Sequence, residues 1–126
     1  MQKKRPRNLN LISIRLPLPA LVSILHRVSG VILFLIIPAL LIVLQTSLAS
    51  PDGFNSVVAA MDHPIVKLLL LGLCWAFLHH MFAGVRHLMS DMSFGLELRQ
   101  ARLINKVVLW GAITLSIAVG GILWSA

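Results

Sequence analysis

The residues with chemical potential lie at the end of a long apolar run: His80-Met-Phe-Ala-Gly84-Val-Arg86-His87-Leu-Met-Ser-Asp91. On a helix, His80, Gly84, His87 and Asp91 fall within about 60° of one another. One stripe therefore carries a histidine, a position without a side chain, a second histidine and a carboxylate. Imidazoles inside a membrane span are costly to bury and usually functional. Arg86 lies beside the stripe, about 9 Å nearer the helix end than His80.

A second cluster is Ser23-Ile-Leu-His26-Arg27-Val-Ser29-Gly30. Ser23, Arg27 and Gly30 share a face at helical spacing. If the two segments are antiparallel neighbours, as a short connection favours, both clusters come to one end of the bundle.

A deep imidazole with cations nearer the surface suits haem, whose iron takes an axial histidine and whose propionates seek Arg or His. His80 is the expected ligand, and Gly84 reads as clearance for a porphyrin plane. His80 and His87 share one face and cannot flank a single iron, so a second axial ligand must come from elsewhere, most simply from a partner subunit. His79 points about 100° away and reads as packing or an interhelical hydrogen bond. For Arg86 a topology-setting role stands beside propionate contact. His87 and Asp91 read either as a supporting pair or as helix-end polar residues. Ser23 and Arg27 admit two readings: an interfacial helix start, or polar anchors for a quinone in a lipid-accessible pocket.

These clusters must be positioned by membrane spans. The chain has 126 residues, 58% hydrophobic and 12% charged, which leaves no polar surface for a soluble domain. We expect a single membrane-anchor domain, 1–126, all-α, with a basic segment 1–20 and transmembrane helices at about 21–48, 65–89 and 106–124. Pro38 is tolerated within the first span. Ser50-Pro-Asp-Gly-Phe-Asn reads as a turn, Val57 to Met61 as a short interfacial helix, Asp62 as the N-cap of the second span and His63 as solvated. Ala112, Ser116 and Gly120 form a small-residue stripe on the third. The lone Cys74 reads as a small buried hydrophobe.

The net charge is +7. Its cations flank apolar spans and lack an aromatic-basic platform, so nucleic acid is not expected as a partner. Lys3, Lys4, Arg5, Arg7, Arg15 and Arg27 precede or open the first span. Arg86, Arg99, Arg102 and Lys106 surround the second loop, and the first loop offers Lys67. The positive-inside rule places the N-terminus and second loop in the cytoplasm and the C-terminus outside. The first span reads as a retained segment rather than a cleaved signal.

The motifs Arg5-Pro6-x-Asn8-Leu9-x-Leu11, Ile14-Arg15-x-Pro17 and Ser23-Ile-Leu-His26-Arg27-x-Ser29-Gly30, followed by His80-x-x-x-Gly84-x-Arg86-His87-x-x-x-Asp91, resemble the cytochrome b subunit of succinate dehydrogenase. The resemblance implies a three-helix anchor of succinate:quinone oxidoreductase, part of a heteromeric helix bundle, and the lack of an Arg/Ser-rich transit peptide favours a bacterial inner membrane. The implied partners are a second small anchor, the iron-sulfur subunit and the flavoprotein subunit. It implies one haem b shared between the anchors, with His80 as this chain's axial ligand. His26 and Arg27 then match positions near the propionates, and Ser23 and Arg27 match positions lining the ubiquinone site. No catalytic residue for succinate oxidation falls in this chain. Where the family usually carries an aromatic before the ligand, this chain has His79. A related fumarate reductase anchor using menaquinone, and a cofactor-free anchor, are the alternatives.

Overall fold

The computed structural model describes residues 16–125. The cations and motif residues between Lys3 and Arg15 lie outside the described residues. Four helices follow in order: α1 (Leu18–Ala49), α2 (Pro51–Met61), α3 (Pro64–Asp91) and α4 (Leu98–Ser125). α1, α3 and α4 are each long and apolar enough to cross a membrane. The chain is an all-helical transmembrane protein.

Lipid is as apolar as leucine, so helices associate in it through close packing of small residues rather than by hiding apolar surface from water. α3 and α4 do this. Ala112, Ser116 and Gly120 of α4 are buried, as are Ala76 and Ala83 of α3. A Cβ placed on Gly120 would come within 2.9 Å of the Leu71 Cδ1. The Ser116 hydroxyl donates to the Ala112 carbonyl at 2.7 Å, so it can be buried without an orphaned donor. The small-residue stripe of α4 is thus its seam with α3. α1 enters this pair by its first turns: Val22 is buried in a cluster with Ala83 and Val108. Beyond Gly30, much of α1 presents large exposed side chains, among them Phe34, Leu35 and Leu48. Such a face belongs against lipid or another subunit. α1 continues as helix across Pro38.

The connections differ from the sequence expectation in three places. Ser50-Pro-Asp-Gly-Phe-Asn is not a free turn but the start of α2, which runs from Pro51 rather than Val57. The Ser50 hydroxyl accepts from the Gly53 amide at 3.0 Å, Pro51 occupies the first turn and Asp52 adds a favourable negative charge there. These are helix-start signals as much as turn signals. Gly53 is required by the corner, because a Cβ there would collide with the Thr46 carbonyl oxygen. The N-cap of α3 is His63, not Asp62: its Nδ1 accepts from the Ile65 amide at 3.3 Å. Asp62 instead sits 3.6 Å from the Lys67 Nζ. Finally, α4 starts at Leu98, ahead of the apolar stretch from Lys106, because its first two turns are polar but still helical.

α3 ends in a Schellman turn. The Phe94 amide donates to the Met89 carbonyl at 2.9 Å and the Ser93 amide to the Ser90 carbonyl at 3.0 Å. Ser93, at the position where glycine is usual, has φ of 66°, and Gly95 has φ of 74°. A left-handed backbone costs a non-glycine residue roughly 1–2 kcal/mol. Ser93→Gly should therefore stabilise the detergent-solubilised protein by up to about 1 kcal/mol, read as a rise in its unfolding midpoint; a fall would show that the serine side chain is needed at the turn.

Candidate functional site

The crossing of α1 and α3 gathers four of the predicted residues, His26, His80, Gly84 and His87. The Nδ1 of His80 lies 3.0 Å from the carbonyl oxygen of His26 and 3.4 Å from the hydroxyl of Ser29. The Ser29 hydroxyl itself donates to the His26 carbonyl at 2.9 Å. A carbonyl oxygen only accepts, so Nδ1 of His80 carries the proton. In the neutral ring, Nε2 then keeps its lone pair.

The ring is also held sterically. His26 stacks on it with centroids 4.2 Å apart and planes 11° from parallel. A Cβ at Gly30 would stand 2.9 Å from Cε1 of His80. Gly30 is therefore the glycine on which this imidazole depends. Spacing put Gly30 on a stripe with Ser23 and Arg27 but did not disclose what it faces. The signal was present in part, since Gly30 lies one turn beyond His26 on the same helix face.

His87 joins the cluster, its ring 5.1 Å from that of His26 and tilted by 49°. Gly84, expected to clear space for a flat ligand, faces the Nε2 of His26, at 3.6 Å from where its Cβ would be. That is an ordinary contact distance, so in this chain the space beside Gly84 belongs to His26. Asp91 is exposed at the end of α3.

Arg86 departs from the cluster. It lines a groove between α3 and α4 together with Phe82, Val85 and Met89. Six residues place it roughly 240° around the helix from His80, so nearness in sequence did not bring it to the same face. Ser23 is half-buried and Arg27 exposed, one turn apart near the start of α1.

His79 is fully buried, its ring 5.3 Å from that of Trp75 and 21° from parallel. Neither of its ring nitrogens has a hydrogen-bond partner among the described residues. It packs against Trp75, with the Val22 backbone of α1 beside its ring but no hydrogen bond of normal geometry formed among the described residues. Asn105 of α4 was not singled out in the sequence, yet it too is fully buried. Its amide donates to the Ala101 carbonyl at 2.6 Å, while its own oxygen has no partner among the described residues.

Beside His80, α1 and α3 form an open-sided apolar cavity of about 720 Å³ lined by Leu33, Phe34, Ile37, Leu70, Cys74 and Phe77. Among the described residues no three His, Cys, Asp or Glu side chains converge as a cage for a metal ion. What the site presents instead is one oriented imidazole at the edge of an apolar cavity. A tautomer fixed by an Nδ1–H to carbonyl hydrogen bond is the arrangement that readies Nε2 as a metal ligand. The donor set and the cavity fit a haem that takes one axial ligand from this chain.

Fold and site together define a multi-pass membrane subunit with a histidine cluster at a helix crossing. The sequence profile described as "Succinate dehydrogenase/Fumarate reductase transmembrane subunit" matches residues 1–119. The chain is 36% identical over 104 residues to the succinate dehydrogenase cytochrome b556 subunit of Coxiella burnetii, covering 82% of this chain and 83% of that one. It is 32% identical over 113 residues to the protein of the same name from Paracoccus denitrificans, covering 90% and 87%. A succinate dehydrogenase hydrophobic membrane anchor subunit of Halobacterium salinarum is 30% identical over 94 residues, or 74% and 72%. This chain belongs to the succinate dehydrogenase/fumarate reductase transmembrane subunit family.

The two unpaired nitrogens of His79 contribute desolvation cost without a hydrogen bond in return. His79→Phe retains the ring against Trp75 and removes both polar atoms. It should leave the unfolding midpoint unchanged or raised; a loss of more than about 2 kcal/mol in a denaturant titration would show that a nitrogen is satisfied in the assembled protein.

Proposed function

We propose that this chain is the cytochrome b membrane anchor of a succinate:quinone oxidoreductase and that His80 is its axial ligand to a haem b. The observation that carries the reading is the fixed His80 imidazole: Nδ1 bonded to the His26 carbonyl, the ring against Gly30, and an apolar cavity alongside. The cytochrome b556 names of the relatives support it. When bound, haem b supplies a one-electron redox centre within the membrane.

In this reading the second axial histidine belongs to the second small anchor subunit, since His87 shares a face with His80. His26, Arg27 and His87 are the polar groups available to propionates. Gly84 keeps the α3 surface low beside His26, and Arg86, turned to the opposite groove, plays no part in this contact. Ser23 and Arg27 form one wall of a ubiquinone site at the opening of α1, with a hydroxyl and a guanidinium for the carbonyl oxygens. The remaining wall comes from the partner anchor and the iron-sulfur subunit, and succinate oxidation belongs to the flavoprotein subunit. The cation distribution supports a cytoplasmic N-terminus and a C-terminus on the opposite, periplasmic side, and the bacterial relatives support a bacterial inner membrane.

His80→Ala in the assembled complex should abolish the low-spin haem band of the redox-difference spectrum; an unchanged spectrum would overturn the ligand assignment, and a wild-type complex without a Soret band would favour a cofactor-free anchor. Gly30→Ala pushes a methyl against Cε1 of His80 and should shift that spectrum or lower haem retention without removing the ligand. Arg27→Ala should slow quinone reduction about tenfold or more, as expected for loss of a charged hydrogen bond, while succinate oxidation by an artificial acceptor stays near wild type. Equal losses in the two assays would make Arg27 an assembly residue. A menaquinone-specific complex working chiefly as a fumarate reductase would overturn the choice of quinone.

A further inference from the structure

Ser29 lies between Arg27 and the glycine that seats the His80 ring, yet neither haem ligation nor quinone binding uses it. It is 1% exposed. Its hydroxyl donates to the His26 carbonyl at 2.9 Å and stands 3.4 Å from Nδ1 of His80. A helical serine or threonine ordinarily satisfies itself by bonding back to a carbonyl three or four residues earlier. Ser47, Ser90 and Ser116 do so here. Ser29 does the same with one difference: among the described residues, only its carbonyl also meets a side chain from another helix.

The His26 carbonyl therefore serves three donors. The Gly30 amide reaches it by the regular bond of the α1 helix. The Ser29 hydroxyl reaches it at 2.9 Å, and the Nδ1 proton of His80 at 3.0 Å. A carbonyl oxygen has two lone pairs, so the three share it. Each donor draws on the same electron density and leaves less for the others. The hydroxyl is as close as the imidazole, so its share is comparable. Its own oxygen, at 3.4 Å from Nδ1, lies beyond the usual range for an N–H donor and is the weaker acceptor.

Resting on the assignment of His80 as the axial ligand, we infer that Ser29 tunes the haem: by competing for the His26 carbonyl it weakens the His80 Nδ1–H bond and keeps the reduction potential above the value His26 alone would set. A strong bond from Nδ1–H to a carbonyl moves electron density toward Nε2 and makes the imidazole a more basic ligand. A more basic ligand favours the ferric state over the ferrous, which lowers the potential; hydrogen bonding to an axial ligand is one of the levers a protein has on haem. Ser29 opposes that shift. It acts through His80 rather than on the iron, so it is a positioning residue. Its burial matters too, since bulk water has no access to replace the hydroxyl as a donor.

The test is a potentiometric titration of the haem in the purified, assembled complex, followed optically, with haem content measured on the same samples. Ser29→Ala removes the competing donor and little volume. Haem content and the low-spin spectrum should stay at wild type. The reduction equilibrium constant should fall about threefold to tenfold, the effect of redistributing part of one neutral hydrogen bond, or about 30 to 60 mV for one electron. Val22→Ala opens space in the neighbouring core without removing a side-chain hydrogen bond and should leave the potential unmoved. An unchanged or raised potential in Ser29→Ala would overturn the proposal, as would an equal fall in Val22→Ala. Loss of haem or of assembly in Ser29→Ala would also overturn it, making the serine a structural group. Haem retained in His80→Ala defeats the ligand assignment itself. Haem lost in His80→Ala, with the Ser29→Ala potential unmoved, defeats the role of Ser29 alone.

Discussion

The imidazole of His80 sets how α1 and α3 meet. The ring lies against Gly30 and stacks on His26, with its Nδ1 proton given to the His26 carbonyl. In hydrocarbon an unpaired polar group costs several kcal/mol, so this bond is both a constraint and a requirement. It fixes the tautomer, and the tautomer leaves Nε2 as the nitrogen with a lone pair. Glycine at position 30 is the steric counterpart: any larger residue would push the ring out of the position that makes the bond.

α3 serves two neighbours with different surfaces. Toward α1 it presents histidines and Gly84, and toward α4 it presents Leu71 against Gly120 and Phe82 against Gly111, while Ala83 is buried with Val22 of α1 and Val108 of α4. The small residues allow close backbone approach, which is the main source of helix affinity in lipid. The rigid α3–α4 pair then acts as the support against which α1 holds its cluster. His79 is buried beside Trp75 and near the Val22 backbone of α1, and does not line the cavity that borders His80. Two adjacent histidines thus take different roles because 100° of rotation sends them to different environments.

Much of this was legible in the sequence. Three apolar stretches, the shared face of His80, Gly84 and His87, and the small stripe of α4 follow from composition and a period of 3.6 residues. The errors have identifiable physical origins. Ser-Pro-Asp-Gly opens turns and helices alike, and the choice for α2 rested on whether the following residues could pack at the corner with Thr46. Asp62 and His63 were both competent caps, and the backbone at Pro64 decided between them. Arg86 is near His87 in sequence yet faces α4. Asn105 was not singled out, since it precedes the expected start of the third span and its burial depends on α4 beginning at Leu98.

Residue types and spacing by themselves determined that the chain spans a membrane three times and that one span carries histidines on a common face. These are properties of a single helix, set by local geometry and by the cost of polar groups in lipid. Tertiary structure alone decided which partners those residues meet. It chose the His26 carbonyl for the His80 Nδ1, His26 for the space beside Gly84, and the α3–α4 groove for Arg86. Such choices depend on the distance and rotation between helices, which side chains far apart in the chain settle together.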